Sequence, residues 1–448
     1  MLNFRGEMMS HRPIRSLSAV FVAAALALNA SAFAFTPPQF PRLAGVETGG
    51  KANYDDPAYQ ADLAKLSVII LKYWPGLAPG GKSMNGIIEA IKAKNPNALV
   101  FFYTESDAET PSGGKAMAAL REKIDAMHWW LKTGPSLALV PSFYGHSEVT
   151  INNTPYTPKD ANGDDSIDWI TKWYVSNYYT PNPAVDGFFM DNVFPQPRVA
   201  GDWYGNGVPL APSDPRAAAA LQAGYKRWFG LTRQLMPGKY QIGNIGSWVT
   251  GAKSVPASYH GMADGGVLEA IIGKPFSADT FGGWKAMMGE YTLIMQMVSE
   301  PKLVIFNQWG DPKDYQSFRY GFTACLMNDG YYSFTSKSSG YYGVVWFDEY
   351  NTKLGAPSGA PPAGAWQNGV WRRDFTNGIA LVNPKGNGPQ TVTLETPFVK
   401  IQGTQDPAVN NGQTVTRVTL QDRDGIVLLR KSPLQQPDAP TGVTEETD

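Results

Sequence analysis

Apolar residues along this chain fall in short, nearly unbroken runs. Between them lie longer stretches in which apolar positions recur every three or four residues. A run of four to eight aliphatic and aromatic residues reads as a strand buried on both faces, and the periodic stretches read as amphipathic helices. Strands are therefore expected over Arg42–Glu47, Ser67–Trp74, Ala98–Glu105, Val185–Asn192, Tyr240–Asn244, Gly265–Ala270, Leu303–Gln308 and Tyr331–Phe334. Helices are expected near Pro57–Leu66, Met84–Lys94, Gly114–Leu131, Ser166–Tyr178, Asp214–Leu235, Gly283–Ser299 and Asp314–Met327. The fifth should carry Ser213 as its N-cap and Pro215 in its first turn. Eight alternating βα units close into a (β/α)8 TIM barrel, so the expected class is α/β. Leu137–Asn152 has strand composition around the turn Tyr144-Gly145-His146. A ninth barrel strand has no place, so this segment is read as an inserted β-hairpin.

The texture changes after Thr335. Helical periodicity disappears, Ala356–Gly364 reads as a linker, and Val370–Phe375, Gly378–Asn383, Thr391–Leu394, Val415–Leu420 and Gly425–Arg430 read as short strands of a small C-terminal antiparallel β-sandwich. The expected organisation is a catalytic barrel over 35–340, a β-domain over 341–431 and a disordered tail over 432–448, rich in Pro, Gln and acidic residues. At the other end, Arg12 and Arg15, the apolar stretch Leu17–Leu28 and the small-residue site Ala32-Phe33-Ala34 read as a signal peptide, with an uncleaved anchor as the alternative. The expectation is export, to the periplasm or outside the cell, with no membrane span after cleavage.

Composition narrows the function classes. The net charge is -1 and charged residues make up 17% of the chain, which argues against a nucleic-acid footprint or a polybasic membrane patch. Cys325 is the only cysteine, so no intrachain disulfide can form, and its run Gly321–Met327 marks it as a small buried apolar residue. Four histidines without an HExxH spacing, and no GxSxG elbow, P-loop or GxGxxG, leave no expected metal or cofactor. Asp160–Asp168 alternates oxygen side chains like a calcium loop, but Gly163 sits at the fourth rather than the sixth position and Thr171 replaces the bidentate Glu. An acidic turn capping the next helix is the simpler reading. A monomer is the default.

In a βα-barrel the chemistry sits where the strands end. Those ends carry Glu47; Lys72, Tyr73 and Trp74; Tyr103 and Glu105; Asp191 and Asn192; Asn244; Glu269; and Asn307, Gln308 and Trp309. Asp191 follows the apolar strand Asp186-Gly187-Phe188-Phe189-Met190, and Glu269 follows Gly265-Gly266-Val267-Leu268. Two carboxyl groups across one barrel mouth suit glycosidic cleavage, in which one protonates the leaving oxygen and the other attacks the anomeric carbon or activates water. Asp191 is taken as nucleophile and Glu269 as acid/base. Lys72, Tyr73, Tyr103, Glu105, Asn192, Asn244, Trp248, Asn307 and Trp309 are candidates for binding a carbohydrate, through hydrogen bonds or by ring stacking. A barrel that binds glycan without cleaving it is the alternative.

Val185–Phe194 (VDGFFMDNVF) resembles the strand, Asp-Gly followed by apolar residues and Asp-Asn, of barrel glycoside hydrolases and glycoside-hydrolase-like families. Val370–Pro384 (VWRRDFTNGIALVNP), with Val415–Leu429 after it, resembles the C-terminal β-domain of a glycoside-hydrolase-like family whose specificity is largely unassigned. The first motif is shared with endo-α-1,4-polygalactosaminidases and, more distantly, with the α-galactosidase clan. The resemblance implies that Asp191 holds the nucleophile position, that the mechanism is retaining, and that no metal is required. Glu269 matches by strand placement alone.

Overall fold

The computed structural model describes residues 35–49, 53–134, 136–245 and 258–431. Eight strands form one sheet in chain order: β1 (Ala44–Glu47), β2 (Val68–Leu71), β3 (Leu99–Thr104), β4 (Gly187–Met190), β5 (Tyr240–Gly243), β6 (Gly265–Ile272), β7 (Leu303–Gly310) and β8 (Tyr331–Ser336). Every neighbouring pair is parallel. The sheet closes where Leu43 bridges Tyr332 in parallel and Tyr332 N–H donates to the Arg42 carbonyl at 2.9 Å. The expected (β/α)8 barrel with a C-terminal β-domain is the observed architecture.

Helices α1 (Pro57–Leu63), α2 (Met84–Lys94), α3 (Ala118–Met127), α4 (Ser166–Tyr174), α5 (Pro215–Leu235), α6 (Ala278–Met297) and α7 (Tyr315–Leu326) connect the strands, with both α3 and α4 between β3 and β4. The N-cap of α5 is Asp214 rather than the expected Ser213: its carboxylate accepts from Arg216 N–H, with Pro215 in the first turn as expected. Helix α6 begins five residues before the expected Gly283, which sits inside it as a break at φ +62°.

The strands are apolar on both faces, so side-chain parity rather than hydrophobicity divides barrel interior from helix layer. Val68, Ile70, Phe101, Phe189, Ile305 and Tyr331 belong to an inner cluster, while Ile69, Phe102 and Phe188 belong to the outer one with the helices. Carried two residues further along each strand, the inward parity reaches Lys72, Tyr103 and Glu105, Asp191, Asn244, Glu269 and Asn307. Glu47 and Tyr73 have the outward parity. At the closed end of the barrel, Gly187 is required: a Cβ there would lie 1.8 Å from the Tyr240 carbonyl oxygen.

The segment read as an inserted hairpin turns through Ser142–Glu148, closes with a Pro141–Val149 bridge, and pairs Val149–Thr150 with Ala108–Glu109 in a two-stranded ribbon after β3. In the acidic turn, Asp165 caps α4 by accepting from Asp168 N–H. Asp160, Asp164 and Asp168 pair with Lys123, Lys172 and Arg227.

The C-terminal β-domain is one antiparallel sheet rather than the two layers of the expected sandwich, ordered β9 (Trp371–Phe375), β10 (Gly378–Asn383), β13 (Asp424–Arg430), β11 (Gln390–Lys400) and β12 (Thr414–Leu420). A register shift between Thr393 and Phe398 splits β11: its first half pairs with β12 alone and its second half with both β12 and β13. Ile379, Leu381, Val392, Leu420, Ile426 and Leu428 share a core of their own. Among the described residues no helix is long and apolar enough to cross a membrane. The proposed signal segment and tail lie outside the described residues.

Candidate active site

Asp191 is the first residue after β4, and inward parity from Phe189 aims it into the barrel mouth. Three donors meet its carboxylate: Tyr103 Oη at 2.7 Å, its neighbour's backbone N–H, from Asn192, at 2.9 Å, and Asn244 Nδ2 at 2.8 Å. Asn192 sits at φ +55°, a left-handed turn that Asn tolerates better than most residues, and this turn presents its N–H to Asp191. The first acid of the motif, Asp186, has a structural position, paired with Lys92 at 2.7 Å and accepting from Val100 N–H.

Glu269 lies in a bulge rather than at a clean strand end. The register of β6 against β7 shifts between Leu268 and Ile272, and Ala270 adopts φ +47°. Two side chains satisfy the bulged backbone: Asn307 Oδ1 accepts from Ala270 N–H at 3.0 Å, and Ser277 Oγ donates to the Ala270 carbonyl at 2.5 Å. Glu269 then accepts from Asn244 Nδ2 at 3.0 Å through one oxygen and from Tyr341 Oη through the other.

One amide nitrogen therefore joins the two carboxylates. A planar –NH2 group directs its two protons about 120° apart, so the bonded oxygens of Asp191 and Glu269 stand roughly 5 Å from each other and no more than about 6 Å. Burial pushes the Glu269 carboxyl above the ordinary range, the charge of Asp191 adds to this, and Tyr341, Asn244 and Lys274 partly offset it.

Two more carboxyl groups extend the cluster. Glu105 accepts from Asn192 Nδ2 at 3.1 Å and meets Tyr103 Oη at 3.0 Å. Asp107, two residues on, accepts from the same Asn192 amide at 3.2 Å. Burial drives Glu105 well above the usual carboxylate range, and the charges of Asp107, Asp191 and Glu148 push it further. Asp107 is raised to about 7, first by burial and then by Asp191. The mouth thus holds a chain of acids stitched by neutral donors, in the order Asp107, Asn192, Glu105, Tyr103, Asp191, Asn244, Glu269, Tyr341.

The remaining sequence candidates divide. Lys72, Tyr73, Tyr103 and Glu105 line a cavity of about 510 Å³ together with Trp74 and Tyr174. Tyr73 is mostly buried, stacked on Phe102 at 4.6 Å, and so turns only a small part of its surface to that cavity. Asn307 is fully buried and its amide also bonds Ser333 and Thr335, which sets it beneath the mouth as the support of the Glu269 bulge. Trp309 meets Tyr341 edge-on at 5.0 Å and carries Lys274 over its ring at 3.6 Å. Trp248 lies outside the described residues. Sequence reasoning did not select Asp107, Tyr144 or Tyr341. Asp107 had a signal in its i, i+2 spacing from Glu105. Tyr144 comes from the hairpin, where its hydroxyl donates to Asn192 Oδ1 at 3.0 Å, and Tyr341 comes from the loop after β8. No local pattern marks either one.

A closed parallel barrel with facing carboxylates at the C-terminal ends of its strands has the build of the glycoside hydrolase barrels. Residues 92–379 match the family described as hypothetical glycosyl hydrolase family 15, and the chain belongs to that family. No curated protein sequence is significantly similar to it. Among solved structures it is similar to the glycoside hydrolase domain of PelA from Pseudomonas aeruginosa, at 10% identity and a TM-score of 0.40, over 69% of this chain and 99% of that one. It is also similar to the GH36 alpha-galactosidase AgaA from Geobacillus stearothermophilus, at 11% identity and a TM-score of 0.45, over 88% and 56%. A third is the type III pullulan hydrolase from Thermococcus kodakarensis, at 10% identity and a TM-score of 0.45, over 84% and 70%.

Proposed function

We propose that this protein is an exported retaining glycoside hydrolase that cleaves a polysaccharide or oligosaccharide, with Asp191 as nucleophile and Glu269 as acid/base. The observation that carries the reading is the Asn244 amide bonded to both carboxylates, which holds them roughly 5 Å apart. Retaining glycosidases have carboxyl groups about 5–5.5 Å apart, whereas inverting ones need roughly 6.5–9.5 Å to admit a water.

In the first half-reaction an Asp191 oxygen bonds the anomeric carbon. The bond from that carbon to the leaving oxygen breaks, and the leaving oxygen takes the proton of Glu269. In the second, Glu269 removes a proton from water, the water oxygen attacks the anomeric carbon, and the Asp191 ester bond breaks. The raised Glu269 suits a group that must hold a proton and then accept one. The three donors around Asp191 fix its oxygens for attack. The cavity beside Glu105 offers Lys72 and aromatic surface to further sugar units.

A panel of glycans assayed for new reducing ends, with the anomer of the first product followed by NMR, tests the proposal. Hydrolysis with retention supports it. Inversion overturns the nucleophile role of Asp191. Binding without hydrolysis across the panel favours the non-catalytic glycan-binding barrel.

A further inference from the structure

We propose that Glu105 is held protonated and donates to the Tyr103 hydroxyl oxygen, so that the single phenolic proton is committed to Asp191; Glu105 and Tyr103 are thereby positioning residues for the nucleophile. This inference rests on the assignment of Asp191 as the nucleophile.

Tyr103 Oη lies 2.7 Å from Asp191 Oδ2 and 3.0 Å from Glu105 Oε2. A phenol carries one proton and can donate once. With both carboxyl groups ionised, one of these contacts would be a bare oxygen against an anion, in a site where the charges of both acids oppose each other. A second proton resolves it, and the geometry decides where it sits. Asp191 already accepts from the Asn192 backbone and the Asn244 amide, and it has the shorter phenol contact. Glu105 Oε1 accepts from the Asn192 side-chain amide, that amide's other proton goes to Asp107, and Asp107 is also hydrogen-bonded to the Glu105 carboxyl, which itself calls for a proton between these two acids. The order is then Glu105 O–H to Tyr103 Oη, and Tyr103 O–H to Asp191.

The groups facing Glu105 favour its neutral form. Asp107 follows it on the chain, Asp191 comes from β4, and Glu148 comes from the hairpin. From α4, the Tyr174 hydroxyl donates to the Glu105 backbone carbonyl rather than to its carboxyl. The cations on the adjoining cavity wall are Lys72, Lys115 and Arg121. Arg121 is committed to Glu109 and to the carbonyls of Gly113 and Gly114.

The consequence is functional. An ionised Glu105 would compete with Asp191 for the Tyr103 proton and place a second negative charge beside the nucleophile. A neutral one leaves Asp191 as the only anion on that phenol and lets the donor follow its charge as it attacks.

Infrared difference spectroscopy of the ligand-free protein near neutral pH reads the proton directly. Glu47, Asp107 and Glu269 are raised as well, so the proton is read by difference: one component of the protonated-carboxyl stretch should disappear in Glu105→Gln and persist in Glu269→Gln. A wild-type minus Glu105→Gln difference spectrum with no protonated-carboxyl component, recorded on a folded variant, overturns the proposal. Should that variant fail to fold, Tyr103→Phe substitutes for it: the band should shift because the acid has lost its acceptor, and an unmoved band overturns the proposal.

Kinetics separate positioning from direct chemistry. The Gln amide can donate to Tyr103 as the acid does, so Glu105→Gln should lose about 3- to 10-fold in kcat and Glu105→Ala about 100-fold. Equal losses in the two variants, or a Glu105→Gln loss as deep as that of Glu269→Gln, overturn the relay. Unimpaired turnover in Asp191→Asn would instead sink the nucleophile reading, while the infrared result still reports on the proton of Glu105.

Discussion

Buried acids are handled in two ways in this molecule. Against the C-terminal β-domain, buried Asp424 and Asp279 are paired with guanidinium groups, while buried Glu349 accepts from the Asn410 amide. Arg319 bonds Asp424 and the partly exposed Asp406, Arg423 bonds Asp279, and Arg373 bonds the partly exposed Asp329. At the barrel mouth, Glu105, Asp107, Asp191 and Glu269 are held by phenols, amides and a backbone N–H. The charges acting on the buried carboxyls differ in sign accordingly. Arg319 pulls Asp424 down against its burial, whereas the charges of Asp107, Asp191 and Glu148 push Glu105 up. The interface sets guanidinium charge against its acids, whereas the mouth holds its acids with neutral donors, which leaves their protonation to burial and to one another.

The sharpest way to break this contrast is Asp191→Asn. It keeps the shape of the site and one accepting oxygen but removes the anion, so turnover should fall by at least about 10³-fold with the melting temperature little changed. Retained turnover would show that the anion at the mouth is not used. Glu269→Gln should lose about 10²–10³-fold on natural glycosides. Substrates whose leaving group needs no proton should recover most of the first step, measured as a burst of released aglycone.

Arg319→Ala tests the other region. It strands two acids in the interface and should cost about 3–5 kcal/mol in denaturant unfolding while sparing kcat of the folded protein. A loss of only a few tenths of a kcal/mol would mean the guanidinium is not what stabilises that contact.

Glu47 is the intermediate case, a buried acid on the barrel without a guanidinium on its carboxyl. It accepts from Tyr59 and from Gly343 N–H, and burial raises it to about 7. Folding therefore favours its protonated form. The associated stability is complete below about pH 4.5 and lost as pH rises toward 7, a change of about 3 kcal/mol. Glu47→Gln removes that titration, so the fall in unfolding free energy between about pH 5 and 8 should be smaller by a comparable amount. An unchanged slope would mean that Glu47 titrates normally.

Much of the fold was legible in the chain. Eight apolar runs became eight barrel strands in order, because a strand buried on both faces leaves an uninterrupted apolar signature. The same signature hides which face is which. Tyr73 and Glu47 looked like mouth residues beside Lys72 and Tyr103, yet their outward parity sends Tyr73 onto Phe102 and Glu47 onto Tyr59 of α1. The N-cap of α5 moved by one residue because Ser and Asp at 213 and 214 are both good caps, and local propensity does not choose between them.

The order of the elements, the barrel class and the delivery of Asp191 by its strand were decided by local sequence. Which acids share a proton donor was decided only by closure of the barrel, which brings Asn244 between Asp191 and Glu269, 53 and 25 residues away from it in sequence. Tyr341 and Tyr144 reach the mouth from loops after β8 and after α3, and hydrophobic pattern says nothing about where a polar loop will lie. Burial set the protonation of the cluster in the same way, since a carboxyl group acquires its neighbours' charges and its low-dielectric surroundings only once the chain has folded around it.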